Sequence, residues 1–317
     1  MRAVFFGSPA AAIPSLAALL DSEIDVPLVV TQPGGGHRRG RQGRPCAVAS
    51  FATEHGVEVR SPERINELSE ELARLGCDVG VVVAYGQIIP RRIIDLFPLG
   101  IFNLHFSLLP RWRGAAPVQR AILAGDEVTG VSVMKIDEGL DSGPVYASIE
   151  TSIDPDQSAA ELTSLLATLG APLLLATLRG ATDGSVQPVE QPADGVTVAP
   201  KLEKEECEID WSKPAEEIVR LVRAAGPKPG AWSMLRGRPI KILRARIGNR
   251  SSEEVSDCDG TPGFLHASRS GLSVQAGDGF IDLLEVQPSG GRAMTGAEFA
   301  AGARLGPLDR LGGAPAT

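Results

Sequence analysis

Two stretches, DVGVVVA at 78–84 and GIFNLHF at 100–106, decide the fold that the sequence predicts. The first is an unbroken apolar run, which is typical of a strand buried on both faces of a parallel sheet. The second is apolar except for two polar side chains near its end. Outward from them, strand-like runs at 3–7 and 25–31 alternate with helical patterns such as the amphipathic stretch 61–75. This alternation predicts an α/β fold with a doubly wound sheet.

The chain becomes polar and loop-like between 184 and 205, which predicts a domain boundary there. Beyond it, short strand-like segments indicate a small β-rich module, for which a barrel is one arrangement. The predicted division is, in order, an α/β domain at 1–187, a linker at 188–204, a smaller β-rich domain at 205–310 and a tail at 311–317.

Composition narrows the class of protein. Of the 317 residues, 43% are hydrophobic and 22% charged, which is an ordinary soluble balance. No apolar run approaches the roughly 18 residues of a membrane helix, and Gly7, Pro9 and Pro14 interrupt the N-terminal run too early for a signal peptide. The cysteines form no CxxC pair and have no histidine at zinc-ligand spacing. We therefore expect a cytoplasmic protein with no membrane partner, no metal and no disulfide.

Positive charge is concentrated in two places, although the whole chain carries −8. Residues 218–250 contain nine basic residues and no acidic one. Residues 26–53 also lack acidic residues and contain Arg38, Arg39, Arg41 and Arg44. A polyanion responds to such local patches rather than to the net charge. Abundant arginine on a solvated face would give the same pattern, so both interpretations stay open.

Asn103 and His105 lie two apart on the strand predicted at 100–106, so their side chains point to the same face. Two polar groups in an apolar strand are costly to bury without partners, and sites form at the carboxyl ends of such strands. Asp141, in the turn GLDSG, is the acidic partner that we expect. Each residue alone is more often structural, as a satisfied polar side chain or a turn former.

Together these three residues suit transfer of a carbonyl unit to an amine, which passes through a tetrahedral oxyanion. Asn103 can donate a hydrogen bond to that oxygen, and a protonated His105 can add positive charge. Asp141 can favour the charged form of His105, or accept the proton of the amine directly or through water. The amine itself is the nucleophile, and Ser107 lacks the GxSxG context of a catalytic serine.

The run NLHFSLLPRWRGAAPVQ at 103–119, with TGVSVM at 129–134 and GLDSG at 139–143, resembles the methionyl-tRNA formyltransferase family. VVVAYGQIIP at 81–90 and APKLEKEECEIDW at 199–211 are similar to further segments of that family, in the same order. The resemblance covers essentially the whole chain. It implies a Rossmann-like formyltransferase domain followed by an OB-like β-barrel that binds tRNA. It also implies transfer of a formyl group from 10-formyltetrahydrofolate to methionyl-initiator tRNA in translation initiation. Nothing in the sequence suggests an obligate interface, so we expect a monomer.

By the same resemblance, the formyl-transfer residues are Asn103, His105 and Asp141. The residues that would line or approach the tetrahydrofolate site are Ser107, Leu108, Leu109, Pro110, Tyr85 and Gly86. A basic loop at 34–44 would enter the acceptor end of the tRNA, and the residues expected to contact it are Arg38, Arg39, Arg41 and Arg44. The segment 218–250 would support the tRNA backbone.

Related families supply the alternatives. Glycinamide ribonucleotide formyltransferase has a single domain, so the second domain predicted here argues against it. Formyltetrahydrofolate dehydrogenase continues into a long dehydrogenase, which this sequence does not contain. Sugar-nucleotide amine formyltransferases typically read RGRAP where this chain has RGAAP at 113–117. From a different class, a tRNA-binding protein without catalysis would not require an intact trio. A formyltransferase acting on a sugar-nucleotide amine and an inactive tRNA-binding protein stay as the alternatives.

Overall fold

The computed structural model describes residues 1–34, 45–248, 261–268, 271–306 and 309–312, and the chain divides into two compact units. The first unit comprises Met1–Pro117, Val128–Ser152 and Leu162–Pro200. The second comprises Val118–Glu127, Ile153–Glu161 and Lys201–Thr317. The two units thus interleave along the chain, whereas the domains predicted from the sequence are continuous.

Helices and strands follow the predicted alternation. The strands of the first unit are β1 (Arg2–Gly7), β2 (Asp25–Val30), β3 (Glu58–Arg60), β4 (Val79–Val83), β5 (Ile101–His105), β6 (Val128–Lys135) and β7 (Val145–Ser152). The α-helices of both units are α1 (Ile13–Leu20), α2 (Ala47–Glu54), α3 (Ser69–Leu75), α4 (Arg91–Ile94), α5 (Pro117–Ala124), α6 (Ala159–Asp183), α7 (Ala215–Ala225) and α8 (Gly296–Ala303). The sequence also predicts helices at about 9–20, 115–123 and 158–178 and strands near 130–136 and 144–152, whereas α2, β3 and α4 have no predicted counterpart.

The first unit is built on one seven-stranded sheet with the order β3-β2-β1-β4-β5-β6-β7. The five strands from β3 to β5 are parallel, and β6 and β7 are antiparallel to their neighbours. Because β1 pairs with both β2 and β4, the strand order reverses there, as in a doubly wound fold. The predicted α/β fold class is therefore confirmed, and the parallel strands end together at one edge.

Burial along β4 and β5 explains why they occupy the middle of the sheet. Every residue of β4 is buried, as its unbroken apolar run predicts. Every residue of β5 is buried too, including the polar Asn103 and His105. Buried polar side chains need hydrogen-bond partners, so the carboxyl end of β5 is a candidate site.

The second unit has an antiparallel sheet. Its strands are β8 (Ala231–Leu235), β9 (Arg238–Ile247), β10 (Leu265–Ser268), β11 (Gly271–Gln275), β12 (Phe280–Pro288) and β13 (Met294–Thr295). The order is β10-β11-β12-β9-β8, with β13 on β12. Leu311 bridges Leu235 of β8, and Arg310 bridges Phe264 before β10. Residues 310 and 311 thus bridge to both edges of this sheet, and Leu311, expected in the tail, is buried.

Helix α6 differs from the expectation that no segment could cross a membrane. It has 25 residues and a mean hydropathy of 1.5, which by length and composition alone would suffice. Its apolar side is nevertheless inside the first unit, where Leu162, Leu166, Leu174 and Leu178 are each at most 1% exposed. A core helix passes the same criterion, and the burial of these leucines supports that interpretation.

Candidate active site

Three polar side chains of the first unit meet where β5 ends. Asn103 Nδ2 lies 3.4 Å from Asp141 Oδ1, and His105 Nδ1 lies 3.6 Å from Asp141 Oδ2. Asn103 is 8% exposed and His105 is 5% exposed. The structure therefore brings together the trio predicted from the sequence, with the aspartate between the two other side chains.

The ring of His105 has an acceptor at each nitrogen. Nε2 lies 2.9 Å from the carbonyl oxygen of Trp112, and because a carbonyl can only accept, Nε2 donates this bond. Nδ1 faces the carboxylate of Asp141. A second proton on the ring would convert that contact into a charge-assisted pair. Both ring nitrogens of His105 therefore face an oxygen of the protein.

Asp141 sits in a loop whose backbone is not relaxed. Its φ is 46°, in the left-handed region that costs a non-glycine residue about 1 kcal/mol or more. The backbone N–H of Gly114 donates to Asp141 Oδ2 at 2.8 Å, and the side chain of Gln191 donates to the Asp141 carbonyl at 2.9 Å. These contacts hold both the carboxylate and the main chain of Asp141 in place.

The side chains of the segment SLLP after β5, residues 107–110, differ in their exposure to solvent. Ser107 is fully buried, and its hydroxyl donates to the Arg111 carbonyl at 2.6 Å, so it is engaged within its own loop. Leu108, Leu109 and Pro110 are half-buried and leave apolar surface accessible. Of the predicted folate residues in this segment, the latter three can present a side chain to a ligand.

Tyr85 and Gly86 follow β4 and also differ in accessibility. The ring of Tyr85 packs in the core, 5.6 Å from that of Phe6 between ring centroids, and burial raises its pKa to about 12. The Tyr85 carbonyl accepts a 3.1 Å hydrogen bond from the Gln32 side chain. Gly86 is exposed, with φ at 85°. Any contact of this loop with a ligand therefore belongs to the backbone around Gly86 rather than to the Tyr85 ring.

The arginines expected to contact the tRNA acceptor end, Arg38, Arg39, Arg41 and Arg44, lie outside the described residues. In 218–250, five basic side chains already bind acceptors of the second unit. They are Arg220 on Glu216, Arg223 on the Asp154 and Gln157 carbonyls, Arg236 on Asp309, Lys241 on the Pro227 and Pro229 carbonyls, and Arg246 on Asp282. Lys228, Arg238 and Arg244 are exposed and have no such acceptor within the parts of the chain that the structure describes.

Several residues that shape the site were not predicted. Trp112 supplies a carbonyl to His105, and Gly114 supplies an N–H to Asp141. Gly114 has φ at 125°, and a Cβ there would lie 2.9 Å from the Ala199 carbonyl oxygen. The glycine in RWRG could therefore have indicated, from the sequence, a backbone position that only glycine tolerates. Gln191 gave no such signal, because it is 50 residues from Asp141 in the sequence.

Comparison with protein families gives matches to both halves of the chain. Residues 1–178 match the family described as formyl transferase, and residues 201–304 match the family described as formyl transferase, C-terminal domain. Proteins named methionyl-tRNA formyltransferase are similar over nearly the whole length. The one from Streptomyces coelicolor is 43% identical, covering 98% of this chain and 100% of the relative. The one from Halorhodospira halophila is 44% identical, covering 96% and 97%.

Solved structures share the fold at lower identity. HypX from Aquifex aeolicus, in complex with tetrahydrofolic acid, has a TM-score of 0.66 at 19% identity, covering 95% of this chain and 47% of HypX. An N-formyltransferase from Helicobacter canadensis, in complex with folinic acid and dTDP-3-aminofucose, has a TM-score of 0.66 at 17% identity, covering 89% and 98%. At these identities the likeness concerns the fold alone.

Proposed function

Because the chain belongs to the methionyl-tRNA formyltransferase family, we propose that it transfers the formyl group of 10-formyltetrahydrofolate to the amino group of methionyl-initiator tRNA. The product would support translation initiation. The observation that carries the proposal is the similarity over both domains, at 96% or more of the chain. We further propose that the protein acts in the cytoplasm as a monomer, without a membrane or a metal.

The reaction forms a bond between the methionine nitrogen and the formyl carbon and breaks the bond from that carbon to the donor nitrogen. The amine gives up one proton and the donor nitrogen gains one, so atoms and charge balance. Asn103 and His105 would stabilise the oxyanion that forms on the formyl oxygen. Asp141 has two roles open to it in this geometry, accepting the amine proton and keeping His105 charged.

On the folate side, we propose that Leu108, Leu109 and Pro110 provide apolar surface and that the backbone around Gly86 approaches the pterin. These residues follow β5 and β4, at the sheet edge where ligands bind in this fold class. Ser107 and Tyr85 would act from behind this surface, because the structure buries both of them. Their part is to hold the loop shape rather than to touch the ligand with a side chain.

On the tRNA side, we propose that Arg38, Arg39, Arg41 and Arg44 contact the acceptor end. Lys228, Arg238 and Arg244 are the exposed members of 218–250 best suited to phosphates, since their described neighbours of positive charge are bound locally. This reduces the segment's expected contribution to the tRNA interface, without removing it.

The experiment that tests this function is formyl transfer from 10-formyltetrahydrofolate to methionine charged on initiator tRNA, compared with methionine charged on elongator tRNA. Strong preference for the initiator is the expected result. Transfer to a sugar amine, or release of formate to water, with no transfer to either tRNA would overturn the substrate. Binding of initiator tRNA without any transfer would instead identify an inactive tRNA-binding protein.

A further inference from the structure

Residues 189–199, which we name the strap, fall in the segment that the sequence predicts as a linker, yet they are attached to the first unit at both ends. At one end, Val189 and Val145 exchange two backbone hydrogen bonds of 2.8 Å. At the other, the Arg113 N–H donates to the Thr197 carbonyl at 2.9 Å, and the Ala199 N–H donates to the Arg113 carbonyl at 2.7 Å. A segment paired in this way is part of the site's framework rather than a free connection.

Gln191, within the strap, uses all four hydrogen-bonding positions of its side-chain amide. Nε2 donates to the Asp141 carbonyl at 2.9 Å and to the Gly143 carbonyl at 2.7 Å. Oε1 accepts from Arg113 Nε at 3.0 Å and Nη2 at 2.7 Å. Carbonyls only accept and a guanidinium only donates, so the amide has one orientation that satisfies every partner. Gln191 thereby joins the Asp141 loop to Arg113 by four bonds.

Thr197 makes the matching contact on the other side of the site. Its hydroxyl oxygen accepts the Trp112 N–H at 2.8 Å, while the Trp112 carbonyl accepts from His105 Nε2 at 2.9 Å. Trp112 has φ at 62°, and Asp141 has φ at 46°. The strap thus restrains both of the left-handed residues on which the geometry of the trio depends.

We propose that Gln191 and Thr197 are positioning residues for formyl transfer, acting through the Asp141 loop and the Trp112 peptide. The inference rests on the proposed function, because it needs a reaction in which Asp141 and His105 take part. Neither residue touches the reacting atoms. Loss of their hydrogen bonds should lower kcat and leave the KM for tRNA and for the formyl donor nearly unchanged.

Gln191→Glu is the sharpest variant, since glutamate keeps the size and the Arg113 contact but presents a carboxylate to two carbonyls. Gln191→Met keeps the length and removes every hydrogen bond. Displacement of a catalytic group by about 1 Å costs roughly a hundredfold in rate, so we expect kcat to fall by tenfold to about a hundredfold. Gln187→Glu is the matched control, because among the described residues the Gln187 side chain donates only to the nearby Gly184 carbonyl. Its kcat should equal that of the wild type.

Thr197 supplies an independent pair of variants if the changes at Gln191 disturb folding. Thr197→Val is isosteric and lacks the acceptor, whereas Thr197→Ser retains it. A positioning role requires a loss of kcat in the first and near wild-type kcat in the second. Thermal unfolding of each variant shows whether it is folded, and hydrogen exchange of peptides covering 110–116 and 137–143 reports loosening of the loops directly.

The outcomes separate this inference from the function beneath it. If the wild type formylates methionyl-tRNA and folded Gln191→Glu and Thr197→Val keep its kcat, the strap has no positioning role. Equal losses in Thr197→Val and Thr197→Ser would also overturn it, because the hydrogen bond would not be the cause. If the wild type itself transfers no formyl group to methionyl-tRNA, the proposed function fails first.

Discussion

The end of β5 in the first unit and the segment 218–250 in the second unit are both unusual in sequence, but the structure uses them differently. Asn103 and His105 are buried, and each contacts Asp141. The basic side chains of 218–250 are mostly near the surface, and five of them bind acceptors of their own unit. The polar residues of β5 therefore belong to one buried site, whereas most basic side chains of 218–250 bind acceptors within their own unit.

The difference follows from the cost of burial. A polar side chain in the middle of a sheet loses its water and must recover hydrogen bonds from the protein, so such residues are few and their partners are specific. A charged side chain at the surface keeps its water, and pairing it with a neighbour changes stability by at most about 1 kcal/mol. Polar residues in an apolar strand are therefore stronger evidence for a site than a basic run.

The largest expected effect concerns the buried constellation. Asn103→Ala and His105→Ala should each lower kcat for formyl transfer by about a hundredfold to a thousandfold, because each removes a group that we propose to stabilise the oxyanion. Single-turnover formylation of methionyl-initiator tRNA measures the loss. Thr129→Val, on the neighbouring strand β6, is the matched control, since Thr129 is also buried and polar but lies outside the trio. Near-normal transfer by both alanine variants would refute the mechanism and leave the fold untouched.

A smaller effect is expected from the loop at 34–44. Replacing Arg38, Arg39, Arg41 and Arg44 together by alanine should raise the KM for tRNA and flatten its dependence on salt, because fewer phosphates are neutralised. The slope of log KM against log salt concentration measures this directly. Turnover at saturating tRNA should change less than in the trio variants. Unchanged kinetics on charged tRNA would remove this loop from the proposed interface.

Within 218–250, exposed basic residues without a local acceptor can be compared directly with locally paired ones. Lys228→Ala with Arg238→Ala should raise the KM for tRNA severalfold and reduce the salt slope by about one for each residue that contacts a phosphate. Arg220→Gln is the control, since its guanidinium lies 2.7 Å from Glu216 and its side chain is only 22% exposed. If Arg220→Gln raised the KM for tRNA by as much, local pairing would not predict which basic residues contact the tRNA.

The alternation of strands and helices in the first unit was largely predictable from the sequence, because apolar runs and their spacing are local patterns. It missed α2, whose N-cap is Cys46 rather than one of the usual capping residues. It also placed the helix near 61–75 too early. The α-helix begins at Ser69 after a 3-10 turn at Ile65–Leu68, and the Ile65 N–H is held by the side chain of Gln87. That boundary depends on a tertiary contact, which no local pattern carries.

The candidate site, too, was predictable from the sequence only in part. Asn103 and His105 share one strand face, so their spacing alone predicts that both face the same site. The contacts from Gln191 and Thr197 join positions 50 and 85 residues apart, and nothing near them in sequence indicates a site. Long-range contacts of this kind become visible only in the three-dimensional structure.

The smallest expected effect is on stability, at the ion pair between Arg236 and Asp309 in the second unit. The hydrogen bond from Arg236 lowers the pKa of Asp309, and burial partly opposes it. A carboxyl whose pKa is lower in the folded state stabilises it above the unfolded pKa, near 3.9, and this contribution is lost as pH falls through the folded pKa. Asp309→Asn should therefore reduce the free energy of unfolding at neutral pH by no more than about 1 kcal/mol, since the guanidinium is half exposed.

Denaturant unfolding of Asp309→Asn and wild type between about pH 7 and pH 3 checks this sign. The difference should shrink as acid protonates the wild-type carboxyl and makes the two proteins alike in charge. Glu208→Gln serves as control, because Glu208 is exposed and forms no ion pair within the described ranges of the second unit. A difference that stays constant down to the lowest pH would assign the effect to packing. Arg236 would then be held by contacts other than charge, and the reason for separating it from Lys228 and Arg238 would weaken.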